Sequence, residues 1–185
     1  MPNMTDYEET RRTFRLEVPP RFNFARDVVG RWAAERNRLA MVWVGLQGEE
    51  RKITFREFDR RSNRAAHAFH RLGMRKGDRV IVITSRRPEW WETILGLEKI
   101  GAVAAPGTTL LTPRDIKYRV DLAQAAFAVA DEENARKLRD IRAECPSLRE
   151  VVVIGGRVEG CVSYEEVLAQ AAEDFPGEET AADAL

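Results

Sequence analysis

Gly107, Thr108 and Thr109 lie in the run PGTTLLTPRD, directly after the apolar stretch AVAAP. A glycine lets backbone come close to a ligand, and threonine hydroxyls can line a polar channel. If AVAAP is a strand, these residues stand at its carboxyl end, where open α/β sheets gather their ligands. The competing reading is an ordinary loop between a strand and a helix. The run TSRRPEWWE has a similar placement, after an apolar strand and at the opening of a helix. Free amides at the helix start and the charges of Arg86 and Arg87 could attract an anion. The plainer reading has solvated arginines and tryptophans packed on the sheet.

His67 and His70 are three residues apart, so in a helix they can share a face. A metal site needs a third and usually a fourth ligand, and no Cys or further His lies nearby in the chain. No metal ligand is therefore assigned. VVVIGGRVEG places Gly155, Gly156 and Gly160 after a strand, but the spacing is not G-x-G-x-x-G and no long helix follows directly. Neither G-x-x-x-x-G-K-[ST] nor G-x-S-x-G occurs, and Ser62 and Ser85 have no Asp-His partners for a hydrolase triad. No catalytic residue is assigned.

The elements that must hold these residues follow from periodicity. FNFARDVVGRWAAERN spaces Phe24, Val28, Val29 and Trp32 about one turn apart and predicts an amphipathic helix. AMVWVG and RKITF flank a polar turn and predict a hairpin. Thr54 and Glu57 have the spacing of a capping box, ahead of a helix with Phe55, Phe58, Ala65, Ala66, Phe69 and Leu72 on one face. RVIVIT is a near-continuous apolar strand of the kind covered on both faces. Pro88 opens a helix with Trp91, Ile94, Leu95 and Ile100 inward. AVAAPG, AFAVA and VVVIGG are further strands. The helix from Thr112 turns Ile116, Val120, Leu122 and Ala123 toward the core, and a helix over NARKLRDIRAE precedes Pro146. Ser163 and Glu166 have the spacing of another capping box before VLAQAA. Strand–helix–strand repeats of this length predict an α/β fold. Its sheet is mostly parallel, with helices on both faces and right-handed crossovers.

Lys plus Arg number 30 and Asp plus Glu number 30 in 185 residues, so there is no basic excess for binding a phosphate backbone. No apolar run reaches the roughly 20 residues of a membrane span, and the first residues lack a secretory signal pattern. Cys145 and Cys161 are isolated, which suggests free thiols in a reducing compartment, and a cytoplasmic location is expected. Residues 1–21 are expected to be a mobile arm. Residues 173–185 belong to a stretch, AAEDFPGEETAADAL, with five acids and no base, and are expected to be an acidic linker.

Taken in order, several segments resemble one family: FNFARDVVGRWA, ITFREFDRRSNRAAHAF, GMRKGDRVIVIT, RRPEWWETILGLEKIGAV, PGTTLLTPRDIKYRV and AECPSLR. The resemblance is to the amino-terminal region of AMP-forming acyl-CoA synthetases, of the adenylate-forming superfamily. RRPEWW, PGTT with D-I-x-Y-R, and E-C-P-S-L-R point to the medium-chain branch. It covers about Phe22 to Leu185, with residues 22–172 as part of the AMP-binding-enzyme domain.

The resemblance implies a ligase that converts ATP, a medium-chain or aromatic carboxylate and coenzyme A to acyl-CoA, AMP and pyrophosphate, with Mg2+ at the phosphates. It implies that Gly107, Thr108 and Thr109 lie toward the central cleft as cofactor-binding candidates. The family's phosphate loop, T-S-G-T-[TS]-G-x-P-K, does not occur in these residues, nor do its later acidic motif, ribose-binding aspartate, hinge and catalytic lysine. The chain alone is therefore expected to be inactive and to hold no cofactor tightly. Its expected partners are the carboxy-terminal remainder of such an enzyme or a second copy of itself. Small molecules are the substrates of the whole enzyme, and nucleic acid is not a partner. A stand-alone flavodoxin-like binding module is the alternative.

Overall fold

The computed structural model describes residues 6–35 and 38–183. Residues 1–5 of the expected arm, Arg36 and Asn37 at the end of the first expected helix, and Ala184 and Leu185 of the expected linker lie outside them. Within the arm stands a short helix α1, Tyr7–Thr13, capped by Asp6 and with no buried residue. A helical segment follows, π-helical over Ala25–Gly30 and α-helical (α2) over Arg31–Ala33. Strands β1, Leu39–Val44, and β2, Glu50–Thr54, form the expected antiparallel hairpin.

Thr54 ends β2 and starts helix α3, Phe55–Arg71. Its hydroxyl accepts the Glu57 N–H at 3.2 Å and the Glu57 carboxylate accepts the Thr54 N–H at 2.8 Å, which completes the capping box. Then come β3, Arg79–Ile83; α4, Pro88–Lys99; β4, Val103–Pro106; α5, Pro113–Ala123; β5, Phe127–Asp131; α6, Glu132–Ile141; β6, Glu150–Ile154; β7, Val162–Ser163; and α7, Tyr164–Ala169. The second sheet has the order β4-β3-β5-β6-β7, and each of its pairings is parallel. This is the α/β architecture that the alternation predicts.

The apolar strands are covered on both faces because their side chains alternate. Ile81, Ile83, Ala128, Ala130, Val151 and Val153 join Ile116 and Val120 of α5 and Leu138 of α6 in one cluster. Val80, Val82, Phe127, Val129, Val152 and Ile154 join Phe69 of α3 and Leu97 of α4 in the other. Burying each large aliphatic side chain contributes roughly 1.5–3 kcal/mol, so these two layers supply most of the drive to fold. A third cluster, with Ala25, Val29, Ile53, Phe58 and Leu95, seats the hairpin and first helix on α3 and α4. Helices α3 and α4 approach closely at Gly96, where a β-carbon would stand 2.8 Å from Ala65 Cβ and 3.1 Å from the Ala66 nitrogen.

Several side chains depart from the expected inward faces. Trp91 is 45% exposed, Leu122 72% and Phe24 47%. Each lies on the outer flank of its helix, while Ala25, Val29, Leu95, Ile116 and Val120 take the inner positions. Ser163 accepts the Glu166 N–H at 3.4 Å, but the Glu166 carboxylate pairs with Arg157 rather than returning to the cap. Strand β7, which follows β6 without an intervening helix, was not foreseen, because two residues carry no periodicity.

Among the described residues, the acidic tail has neither helix nor strand apart from one bridge between Arg21 and Ala181. It is nevertheless tied to the body. Phe175 packs against the cluster on α3 and α4, and the Glu178 N–H donates to Lys99 O at 2.6 Å.

Candidate functional site at the carboxyl ends of the strands

From β3 the chain moves outward to β4, then returns across β3 to β5. The carboxyl ends of β3 and β5 therefore flank the point at which the order of the sheet reverses, where α/β folds open a crevice. The crevice is bridged here. The Ser85 N–H, in the loop after β3, donates to Asp131 Oδ2 at 2.8 Å, at the end of β5. Asp131 Oδ1 accepts the Asn134 N–H at 3.2 Å and caps α6.

Gly107, Thr108 and Thr109 lie together in the loop that leaves edge strand β4 at this end of the sheet. The Gly107 N–H donates to Val82 O at 2.9 Å, so the loop begins as a continuation of the β3–β4 ladder. A β-carbon at Gly107 would stand 2.9 Å from Leu111 Cδ1 and 3.3 Å from Ile83 Cγ1, which explains a glycine there. Thr108 is exposed, and its hydroxyl accepts the Leu110 N–H at 3.3 Å. Thr112 closes the loop by capping α5 through Asp115, whose N–H lies 3.3 Å from the threonine hydroxyl.

Lys137 of α6 also holds this loop and was not singled out from the sequence. Its ammonium donates to Thr109 O at 3.4 Å, Leu111 O at 3.3 Å and Asn134 Oδ1 at 3.1 Å. One lysine thus ties the loop after β4 to the helix after β5. Nothing in the local sequence signals this, because residues 109 and 137 meet only through the sheet order.

The loop from Thr84 to Arg87 is also organised by distant partners. Arg87 Nε donates to Glu89 Oε2 at 2.8 Å, and its Nη1 lies 3.4 Å from Ile154 O. Arg51 of β2 reaches Glu89 Oε1 at 3.4 Å. Burial pushes the Glu89 carboxyl upward, but the hydrogen bond from Arg87 and the charge of Arg51 outweigh it and hold the group below its usual range. Much of the positive charge expected to draw an anion is therefore spent on Glu89, and the side chain of Arg86 remains exposed. Trp43 Nε1 donates to Arg86 O at 2.9 Å and docks the hairpin on this loop. Between them lies a groove of about 810 Å³ lined by Trp43, Leu46, Arg51, Arg86, Arg87 and Glu89.

His67 and His70 do share a face, and both pack against Phe175, with ring centroids 5.7 and 6.4 Å away. Ser62 is buried and donates its hydroxyl to Asp59 O at 2.9 Å. Among the described residues, no group of three or more His, Cys, Asp or Glu side chains is placed to hold a metal ion. Magnesium takes hard oxygen donors, and the nearest carboxylates here are committed: Asp131 to a helix cap and Glu89 to two arginines. These residues do not assemble a magnesium–triphosphate site. What they do assemble is a sheet edge with a glycine–threonine loop bonded to β3 and to Lys137.

Residues 30–184 match the family described as AMP-binding enzyme. The chain is 36% identical over 179 residues to acyl-coenzyme A synthetase ACSM4, mitochondrial, of Rattus norvegicus, covering 92% of this chain and 31% of that protein. It is 36% identical over 163 residues to acyl-coenzyme A synthetase ACSM2A, mitochondrial, of Homo sapiens, covering 84% of this chain and 28% of that protein. Among solved structures, it superposes on the anthranilate CoA ligase AuaEII in complex with anthranoyl-AMP. The TM-score is 0.77 at 26% identity, over 89% of this chain and 31% of the other. The acyl-CoA synthetase of Brucella canis shares the fold, with a TM-score of 0.86 at 24% identity over 97% of this chain and 34% of the other. The chain thus spans about a third of the length of the proteins it matches. Sequence motifs, sheet order and these similarities agree that the chain belongs to the AMP-binding enzyme family, and corresponds to the amino-terminal part of its acyl-coenzyme A synthetases.

Proposed function

We propose that this chain is the amino-terminal portion of an AMP-forming acyl-coenzyme A synthetase acting on a medium-chain fatty or aromatic acid. In that reaction a carboxylate oxygen attacks the α-phosphorus of ATP and releases pyrophosphate. The thiol of coenzyme A then displaces AMP from the acyl-adenylate. The observation that carries the reading is the match over residues 30–184, together with superposition on a ligase that holds an aroyl adenylate. In this reading the chain acts as scaffold. Its two apolar layers hold the sheet, and the Gly107–Thr109 loop, tied by Lys137, borders the cleft. Magnesium and the triphosphate would depend on residues beyond those present here, and the chain alone releases no pyrophosphate. Partnership with the remaining two thirds of such an enzyme follows from the same reading. A reducing, cytoplasmic compartment is supported only by two free cysteines, one of them buried.

The test joins residues 1–185 to the remaining two thirds of human ACSM2A. The hybrid is expected to release pyrophosphate only when ATP, Mg2+ and octanoate or benzoate are all present, and to form a thioester only when coenzyme A is added. Pyrophosphate release by the 185-residue chain alone would overturn the scaffold reading. A folded hybrid without carboxylate-dependent turnover would leave the fold and remove the activity, favouring a stand-alone binding module.

A further inference from the structure

The tail from Glu173 carries no basic residue and little apolar surface, a composition that does not offset ordering entropy by itself. Four sets of contacts nevertheless hold it. Glu173 O accepts the Asn63 side-chain amide at 2.8 Å, and its carboxylate lies 2.9 Å from Arg64. Phe175 sits against His67 and His70. The Glu178 N–H donates to Lys99 O at 2.6 Å, and Lys76 Nζ donates to Glu179 O at 2.7 Å. Beyond that point the tail pairs with the segment before the first long helix. The Phe22 N–H donates to Thr180 O at 3.1 Å, the Thr180 hydroxyl donates to Phe22 O at 2.7 Å, and the Ala182 N–H donates to Pro20 O at 3.1 Å.

Two of these contacts meet at Lys99: Glu178 bonds its backbone carbonyl, and Glu173 reaches its buried ammonium through Asn63. The Lys99 side chain is 4% exposed, and its three ammonium donors reach Asn63 Oδ1 at 2.6 Å, Asp59 Oδ1 at 2.8 Å and Asp59 O at 3.1 Å. Asn63 is thereby oriented. With its oxygen held by Lys99, its amide nitrogen points at Glu173 O. A buried ammonium with all its donors used specifies a single arrangement of its neighbours, because any rearrangement leaves a charge unsatisfied.

We propose that residues 173–182 form an intramolecular strap, seated by Phe175 between His67 and His70 and locked through Lys99 and Asn63. It holds the Pro20–Asn23 segment and residues 180–182 side by side against α3 and α4. The strap does not depend on the functional reading.

Amide hydrogen exchange on the 185-residue chain tests this. The Phe22, Glu178 and Ala182 amides are expected to be protected and to open together. Thr180→Val removes the hydroxyl donor without changing shape. It should speed exchange at all three about fivefold to tenfold, the scale of one lost hydrogen bond. Lys99→Met should speed them more than tenfold while the Val80–Ile83 amides stay as they are. Exchange of the three amides at free-peptide rates in the unaltered chain would overturn the strap. So would acceleration confined to Phe22 in Thr180→Val, or acceleration in Lys99→Met that is equal at Val80–Ile83.

Discussion

Ser85 and Asp131 are joined across the reversal point of the sheet. The Ser85 N–H donates to Asp131 Oδ2 at 2.8 Å, while the other carboxylate oxygen caps α6. One side chain thus joins a loop that leads to one face of the sheet with a helix that covers the other. Asp131→Ala should cost about 1–3 kcal/mol, the sum of a lost cap and an unpaired amide. Asp131→Asn should cost less, because an amide oxygen can still cap α6 although its NH2 cannot accept the Ser85 N–H. Urea unfolding of both variants checks the order. Equal losses would mean that the cap contributes nothing, and an Asp131→Asn variant as stable as the unaltered chain would mean the same of the Ser85 bond.

Gly96→Ala sets two effects against each other. Alanine in a helix interior gains about 1 kcal/mol over glycine. Here the new carbon would stand 2.8 Å from Ala65 Cβ and 3.2 Å from Ser62 O, so α3 must move away. Overpacking of this kind costs roughly 1–3 kcal/mol, and backbone on the far side cannot yield as a flexible side chain does. A net loss of stability is expected by thermal unfolding. A rise in Tm would show that α3 and α4 pack less tightly than described.

Glu57 and Glu92 should titrate stability in opposite directions. Hydrogen bonds from the Thr54 N–H and hydroxyl hold the Glu57 carboxyl below its ordinary 4.5. Its contribution is therefore present above that pH and lost as pH falls through the folded value. Burial raises Glu92 above 4.5, against the opposing pull of Arg61. The folded state then binds the extra proton, so stability falls as pH rises from 4.5 through the folded value. Subtracting the urea midpoints of Glu57→Gln and Glu92→Gln from those of the unaltered chain, pH by pH, should give difference curves of opposite slope. Parallel curves would refute the assignment.

Gly107→Val tests the loop after β4. The branched side chain must displace Leu111 or Ile83, which lie 2.9 and 3.3 Å from its first carbon. In the ACSM2A hybrid, thioester formation is expected to fall about tenfold and carboxylate-dependent pyrophosphate release less, which would place the loop on the side of the cleft that coenzyme A enters. An unchanged thioester rate would remove Gly107 from the site and leave the fold untouched.

Lys99→Arg complements these variants. Guanidinium is longer and planar, and does not reproduce three ammonium donors aimed at Asp59 and Asn63. Trypsin cleavage after Arg21 or Lys76, both bonded to Glu179, should accelerate severalfold relative to the unaltered chain. No acceleration would show that the tail is held without the buried lysine.

The amino-acid sequence by itself determined most of the elements and the alternation of the strand faces. Val80 to Ile83 alternate between two clusters because successive strand side chains point to opposite sides, and Thr54, Pro88 and Thr112 mark helix starts through local chemistry. The loop of Gly107, Thr108 and Thr109 was legible for the same reason, since it directly follows a strand. Tertiary structure decided what covers each face and which distant groups meet. Periodicity marks an apolar stripe but not its breadth, so Trp91, Leu122 and Phe24 read as inward and stand exposed at the edges of their stripes. Lys137 on the Gly107 loop, Ser85 on Asp131, and Lys99 beneath the tail all depend on long-range packing. A lysine or aspartate looks the same in sequence whether it is solvated or locked, and only the order β4-β3-β5-β6-β7 and the seating of α3 on α4 bring its partners within reach.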